Sequence, residues 1–271
     1  MPFYDSHTHT RLCGHALGVP KEYAEVAQRV GLAGLIVTDH NPFDCGWEPH
    51  LRMKPREFNK YRKMVEKARK LYAGKVDVRL GVECDYSPLL KSEIPGVLAR
   101  ADFDYVLGSV HCNMGSYMQA YFTGDVLDYT RLYYDHMGEA AESGFFDAMS
   151  HPDIPKFMWP IQWDFERIRP DVCRFLDRVA RAGMALELNT SGVLKPYPEM
   201  NPGPEMLELM YERDIPVVLG SDAHQPQRVG DGFVDALWQL EEIGYQQVSY
   251  FLNRTRVDEQ ISTVLRELGI M

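Results

Sequence analysis

The sequence predicts an α/β fold in which parallel strands close into a barrel. Short apolar segments alternate with amphipathic helical segments along the chain, which is the pattern of parallel βα units. The chain has 271 residues, close to the roughly 250 that one such barrel needs. In addition, the predicted strands end at residues able to bind a metal ion. The carboxyl ends of barrel strands share one face, so these residues are expected to meet there.

Seven strands are predicted from short apolar runs: residues 1–4, 35–38, 76–82, 103–110, 145–149, 185–189 and 215–219. Helices are predicted from apolar residues at helical spacing: residues 20–30, 55–73, 126–142, 165–181, 204–213, 232–243 and 257–268. The aperiodic residues 41–55 predict a loop. Because no repeat, low-complexity stretch or linker divides the sequence, one domain over residues 1–271 is expected.

Composition narrows the class of protein. The net charge is −10 with no basic block, so duplex nucleic acid is not an expected partner. The start lacks the basic and apolar regions of a signal peptide, and no stretch is apolar enough to span a membrane. The cysteines are scattered and never spaced C-x-x-C, which argues against a disulfide scaffold or a thiolate zinc ribbon and favours the reducing cytoplasm. They are Cys13, Cys45, Cys84, Cys112 and Cys173.

The segment D-S-H-T-H-T-R-L-C-G-H, residues 5–15, follows the first predicted strand. On an extended backbone His7 and His9 point to the same face, so they form a natural half of a metal site. His15 follows after Gly14, where a turn can bring a third imidazole back.

Further metal-competent residues follow five later predicted strands: His40, Glu83, His111, His151, and Asp222 with His224. Together with the first segment they include seven of the nine histidines. The other two, His50 and His136, are expected in a loop or on a helix surface. Seven imidazoles and two carboxylates exceed the ligands of one ion, so two or three metal ions are predicted, with Glu83 bridging two of them. Such a site suits Zn, Mn or Fe better than Ca or Mg.

Several motifs together resemble the polymerase-and-histidinol-phosphatase (PHP) superfamily, most closely its histidinol-phosphatase branch. In chain order they are D-S-H-T-H-T, T-D-H-N-P, G-V-E-C-D-Y, G-S-V-H, S-H-P-D, E-L-N-T-S-G and G-S-D-A-H. The resemblance covers nearly the whole chain and implies a distorted (β/α)7 barrel that binds up to three metals at the strand carboxyl ends. It implies that His7, His9, Glu83 and Asp222 hold one ion. Glu83, His111 and His151 would hold a second, and His15, His40 and His224 a third.

The resemblance implies a metal-dependent phosphomonoesterase, with L-histidinol phosphate as the first substrate to test and L-histidinol and phosphate as products, a step of histidine biosynthesis. Bound metals supply hydroxide near neutral pH and stabilise an in-line displacement at phosphorus. Glu83, Asp222 and His224 are the predicted catalytic residues. Asp39 is expected to orient a ligand, and Asn189 to support the site by hydrogen bonds.

The substrate phosphate also needs cations, and Arg52, Lys156 and Lys195 are the candidates. Similar phosphatases carry Arg after the N-T-S/A-G segment, where this chain has Leu194 and Lys195. Lys is a point charge and does not replace a bidentate Arg, so the identity of the phosphate ester stays open.

Three alternatives also stay open. One is phosphoesterase action on another small ester, a nucleotide or an oligonucleotide. The second is hydrolysis at carbon, as in amidohydrolase barrels, which share an opening H-x-H and a late Asp. The third is a non-catalytic metal-dependent module, although such relatives usually lack ligands and none is missing here.

Overall fold

The computed structural model describes residues 3–270, and in these residues one sheet follows the order of the chain. Its strands are β1 (Tyr4–Thr8), β2 (Gly34–Val37), β3 (Asp77–Asp85), β4 (Tyr105–Ser109), β5 (Ala148–Met149), β6 (Ala185–Asn189), β7 (Val217–Gly220), β8 (Gln247–Leu252) and β9 (Thr255–Gln260). Its helices are α1 (Pro20–Arg29), α2 (Phe58–Leu71), α3 (Ile94–Leu98), α4 (Gly115–Tyr121), α5 (Val126–Glu142), α6 (Pro155–Met158), α7 (Phe165–Ala182), α8 (Pro204–Tyr211), α9 (Phe233–Ile243) and α10 (Ile261–Glu267).

Strands β1 to β7 form a ring of parallel neighbours. The ring closes just beyond its first and last strands, where the amide of His9 donates to the carbonyl of Ala223 at 3.0 Å and Thr8 bridges Ala223. The ring is irregular because β5 has two residues and the register shifts within β1. The predicted distorted (β/α)7 barrel is confirmed, and all seven strand carboxyl ends open on one face.

Helices surround the ring and bury their apolar faces against it. Helix α5 begins after Asp125, whose side chain accepts the amide of Asp128 at 2.8 Å, a favourable cap for the first turn. Tyr133 and Tyr134 on α5 and Phe175 on α7 are buried in the layer between the helices and the strands. Here sequence periodicity was sufficient, since α5 and β6 occupy their predicted ranges.

Two strands differ from their predicted ranges in a way that matters for the site. β1 starts at Tyr4 and contains His7, whereas the prediction covered residues 1–4, of which residues 1–2 lie outside the described part of the chain. β3 continues through Glu83 to Asp85 because Glu83 and Asp85 pair with β4. Both strands therefore carry site residues within the sheet.

The predicted helix over residues 257–268 is wrong in its first part. Residues up to Gln260 belong to β9, and helix α10 begins at Ile261. Asn253 and Arg254 both have positive φ, 50° and 61°, so they form the two-residue turn that joins antiparallel strands. Pairing with β8 overrides the local helical spacing there.

The two histidines outside the predicted metal site, His50 and His136, differ in their exposure to solvent. His50 is exposed in the loop before α2, as expected. The expectation of a surface position for His136 is wrong, because its ring is buried on α5 and its Nδ1 lies 2.5 Å from the hydroxyl of Tyr117. Cys84 and Cys112 are fully buried and pack as small apolar side chains. Over residues 3–270, none of the helices has both the length and the apolar character required to cross a bilayer.

Candidate metal centre

The carboxyl face of the barrel contains a cleft of about 390 Å³. The predicted ligands come to it from segments far apart in the chain. His7 and Glu83 lie in strands, and the others follow strands or adjoining loops: His9, His15, His40, His111, His151, Asp222 and His224. The side chain of His111 is 10% exposed, and five others are more than nine-tenths buried: His7, His9, His40, Glu83 and His151. Barrel closure therefore concentrates all nine donors in one region.

Glu83 lies at the centre of this group and is fully buried. Its Oε1 lies 3.1 Å from His151 Nε2 and 3.3 Å from His111 Nε2. Its Oε2 lies 3.0 Å from His40 Nδ1 and 3.4 Å from His7 Nε2. His9 Nε2 also lies 3.6 Å from Oε2. The two oxygens thus face different sets of imidazoles, which is the arrangement of a carboxylate able to serve two ions.

Asp222 forms a second focus beside Glu83. Its Oδ1 lies 3.1 Å from His9 Nε2, 3.6 Å from His7 Nε2 and 3.3 Å from His224 Nδ1. The ring of His15 lies 4.7 Å from that of His224, centroid to centroid. Strand β7 ends just before these residues, and its closure against β1 brings Asp222 to the histidines of the first segment.

The backbone is strained at two of these donors. His151 and Asp222 have φ of 26° and 49°, in the left-handed region that side chains other than Gly seldom adopt. Such strain persists where the surrounding structure holds it, and it is common at functional sites. Each residue lies two positions after the end of a strand, with its side chain beside Glu83 or His7.

Glu187 was not predicted as an orienting residue, although the sequence puts it on the same strand face as Asn189. Its Oε1 lies 2.7 Å from His7 Nδ1, and its Oε2 accepts the His151 amide at 2.9 Å. Asn189 Nδ2 donates to the same Oε2 at 3.0 Å. Asn189 therefore contacts the metal-competent residues only indirectly, through Glu187. Because Glu187 contacts the Nδ1 atom of His7, the Nε2 atom of His7 faces Glu83 and Asp222.

Three more residues lie beside imidazoles of the predicted ligands. Asp85 Oδ1 lies 3.0 Å from His111 Nδ1, a contact that its spacing two residues after Glu83 could have indicated. Asp39, predicted to orient a ligand, has Oδ1 at 3.7 Å from His9 Nδ1. Cys13 was also missed, yet its sulfur and donor atoms of His15 and His224 all lie within 4.8 Å of one another.

The electrostatics favour a charged carboxylate among histidines. Burial alone raises the pKa of Glu83, but His40, His7 and His111 hold that pKa well below its usual range. Burial lowers the pKa of His7, yet the carboxylates of Glu187, Asp222 and Glu83 raise it well above the usual value. Burial dominates at His40 and lowers its pKa strongly. The site therefore holds fixed negative charge together with imidazoles that can be neutral.

This donor set fits divalent metal ions. His9 Nδ1, His40 Nδ1 and Glu83 Oε2 are buried and form no hydrogen bond within residues 3–270, although buried polar atoms are normally paired. Donor atoms of His40, Glu83 and His111 lie within 4.8 Å of one another, as do those of His7, His9 and Asp222. Imidazole and carboxylate donors at this spacing are typical of transition-metal sites.

The predicted phosphate-binding cations do not come together. Arg52 is buried with its Nη2 2.6 Å from Asp85 Oδ2. Lys156 is also buried, with Nζ 2.8 Å from Asp153 Oδ2 and 3.0 Å from Glu199 Oε2. Neither lines the cleft, whereas Lys195 does.

A parallel barrel with a cleft of histidines and acidic residues at its strand carboxyl ends defines a class of metal-binding barrel proteins. Within that class, the family model described as "PHP domain" matches residues 5–191. The chain is 40% identical to the protein named "Probable histidinol-phosphatase" of Deinococcus radiodurans, over 91% of this chain and 95% of that protein. The chain belongs to the PHP family, as its motifs indicated.

Two further likenesses agree with this assignment. The chain is 25% identical to the histidinol-phosphatase of Bacillus subtilis, over 83% of this chain and 95% of that protein. Its fold resembles the crystal structure of a histidinol phosphate phosphatase from Lactococcus lactis complexed with zinc, L-histidinol and phosphate. That match has a TM-score of 0.81 at 20% identity and covers 94% of this chain and 99% of the other.

Proposed function

We propose that this PHP-family protein is a metal-dependent phosphatase that hydrolyses L-histidinol phosphate to L-histidinol and phosphate. The observation that carries the proposal is the buried carboxylate of Glu83, whose two oxygens face different sets of histidines. A shared carboxylate of this kind suits paired ions at a phosphoryl group. We infer the substrate from the name of the Deinococcus radiodurans relative, which is 40% identical to this chain over 255 residues.

The proposed centre holds two or three ions of Zn, Mn or Fe. His7, His9, Glu83 and Asp222 would bind one ion, Glu83, His111 and His151 a second, and His15, His40 and His224 a third. When bound, such ions lower the pKa of water and stabilise negative charge on the phosphoryl oxygens. Glu83, Asp222 and His224, the proposed catalytic residues, would hold these ions at the carboxyl face of the barrel.

The chain's own residues would orient the substrate. Lys195 lines the cleft, with its Nζ 5.6 Å from the Phe157 ring centroid, so its ammonium is proposed to contact the phosphate. The Nδ1 of His224 lies 3.0 Å from the carbonyl of Asp222, which leaves its Nε2 for the cleft. The apolar side chains of Ile154, Met114 and Phe157 line the same cleft and would exclude water from one side of the ester.

The remaining proposals concern the molecule as a whole. Residues 1–271 are proposed to act as one PHP phosphoesterase domain with a small phosphorylated metabolite as its partner. The acidic net charge of −10 disfavours duplex nucleic acid as a substrate. The scattered cysteines, unpaired in residues 3–270, support work in a reducing cytoplasm.

The decisive experiment combines metal analysis with phosphate release. Purified protein is assayed for bound Zn, Mn and Fe, and then tested on a panel of phosphate monoesters that includes L-histidinol phosphate. A phosphodiester, single-stranded DNA and a lactam serve as controls for the alternative reactions. We expect hydrolysis of L-histidinol phosphate with the highest kcat/KM of the panel. Metal-loaded protein that releases no phosphate from any monoester would contradict the proposal.

A further inference from the structure

Arg52 has a buried environment that its predicted role as a phosphate ligand does not explain. Its side chain is only 2% exposed, although a guanidinium is almost always charged and is strongly disfavoured in the interior without partners. The partners are present. Its Nη2 donates to Asp85 Oδ2 at 2.6 Å, and its Nη1 donates to the carbonyl and side-chain oxygens of Asn41 at 3.0 and 3.1 Å.

These two partners belong to strand ends that carry predicted metal ligands. Asn41 directly follows His40, and Asp85 lies two residues after Glu83. The amide of Asp85 donates to Asn41 Oδ1 at 3.2 Å, and the amide of Asn41 donates to the Glu83 carbonyl at 2.9 Å. Arg52, Asn41 and Asp85, called here the Arg52 network, therefore join the ends of β2 and β3.

The Arg52 network also reaches a third strand end. Asp85 uses one carboxylate oxygen for Arg52 and the other, Oδ1, for His111 Nδ1 at 3.0 Å. That contact directs His111 Nε2 toward Glu83 Oε1, 3.3 Å away. Donor atoms of His40, Glu83 and His111 lie within 4.8 Å of one another, so the network lies beside three neighbouring potential ligands.

We propose that Arg52 is a positioning residue of the metal centre, which fixes His40, Glu83 and His111 relative to one another through Asn41 and Asp85. The planar fork of Arg is needed because it serves two acceptors in different directions, which the single ammonium of Lys does not do. Groups that orient metal-binding histidines typically alter metal affinity by roughly 10- to 100-fold when they are removed. The inference rests on the metal centre proposed above but not on its substrate.

The test measures zinc binding, not phosphate release. Wild-type protein and the variants Arg52→Met, Arg52→Lys and Asp85→Asn are stripped of metal, and zinc is then titrated in competition with a chromophoric chelator. For Arg52→Met we expect roughly a 10- to 100-fold weaker zinc affinity. Arg52→Lys and Asp85→Asn should show the same loss in smaller degree. Visible spectra of the cobalt-loaded proteins report the altered ligand geometry.

Arg79→Met is the matched control. Arg79 lies on the same strand β3, with Nε 2.7 Å from Asp77 Oδ2, at the end of the barrel away from the cleft. This variant should bind zinc with the affinity of the wild type.

The inference is overturned if Arg52→Met binds zinc with wild-type affinity, or if Arg52→Lys does so when the Met variant does not fold. It is also overturned if Arg79→Met loses as much zinc affinity as the Arg52 variant. Wild-type protein that binds no zinc overturns both the inference and the metal centre, whereas a zinc-binding protein inactive on every phosphate ester overturns only the proposed function.

Discussion

Two buried carboxylates, Asp104 at the amino end of the barrel and Glu83 at the carboxyl end, are neutralised in different ways. At the amino end, Asp104 accepts from Arg69 at 3.1 Å and from Arg79 at 3.3 Å, together with the amide of Leu80. At the carboxyl end, Glu83 faces imidazoles instead. A guanidinium stays protonated and remains paired, whereas an imidazole can exchange its proton for a metal ion. The comparison teaches that the kind of cation beside a carboxylate, more than its burial, separates a structural carboxylate from a reactive one.

Of the substitutions considered, loss of the Glu83 charge should have the largest effect on phosphate release and on bound metal. Glu83→Gln replaces a carboxylate that faces five histidines with a neutral amide of similar size. We expect kcat for phosphate release to fall by roughly 10²–10³-fold or more, as for the loss of one preorganised electrostatic group. Bound metal should decrease in parallel when measured by elemental analysis. Glu66→Gln, on the exposed face of α2, is the control, and equal activity of wild type and Glu83→Gln would refute the proposed centre.

A change at Lys195 should have a smaller effect, confined to the substrate. Lys195→Ala removes a cation that lines the cleft while leaving every proposed metal ligand in place. A hydrogen bond to a charged group contributes about 1.5–3 kcal/mol, so kcat/KM should fall by roughly 10- to 150-fold. Lys195→Arg should retain most of the activity. Unchanged kcat/KM in Lys195→Ala, with L-histidinol phosphate as substrate, would show that the phosphate lies elsewhere.

At the amino end, the same kind of substitution should alter stability without altering activity. Arg79→Met removes a partly exposed guanidinium, but Asp104 retains its contact with Arg69. We expect the free energy of unfolding to decrease by about 1 kcal/mol or less, because solvent screens such ion pairs. Urea denaturation measures this change. A loss of bound metal in this variant would contradict the division between the two ends.

The smallest effect is expected at His136, a histidine outside the cleft. Burial lowers its pKa below the ordinary value of 6.5, so the unfolded chain binds a proton more readily than the folded protein does. The free energy of unfolding should therefore fall as pH drops below about 6.5, and His136→Gln should reduce that slope. Urea denaturation of the metal-loaded proteins at several pH values tests this. Identical pH profiles would mean that His136 titrates equally in both states.

Much of the barrel, and of the site at its strand carboxyl ends, was predictable because the sequence patterns that indicate them are local. Period and composition located α5 and β6, and histidines after apolar runs indicated the site. The turn at Asn253-Arg254 was missed because its strands alternate poorly and the following residues also fit a helix. Glu187 gave only a weak signal, since a buried acid on a strand resembles any other until its partner His7 is known.

The sequence by itself determined the succession of βα units and the set of residues able to bind metal, because both depend on residue type and near-neighbour spacing. The tertiary structure decided which charges face each other. The carboxylate of Asp85 engages Arg52, and that of Asp153 engages Lys156, so two cations predicted for phosphate lie in buried ion pairs. The Asp85–Arg52 pair forms between separate strand ends, and closure of the barrel brings together residues as distant as Asp5 and Ser221. Contacts that form only when the strands complete the ring cannot be predicted from local sequence patterns.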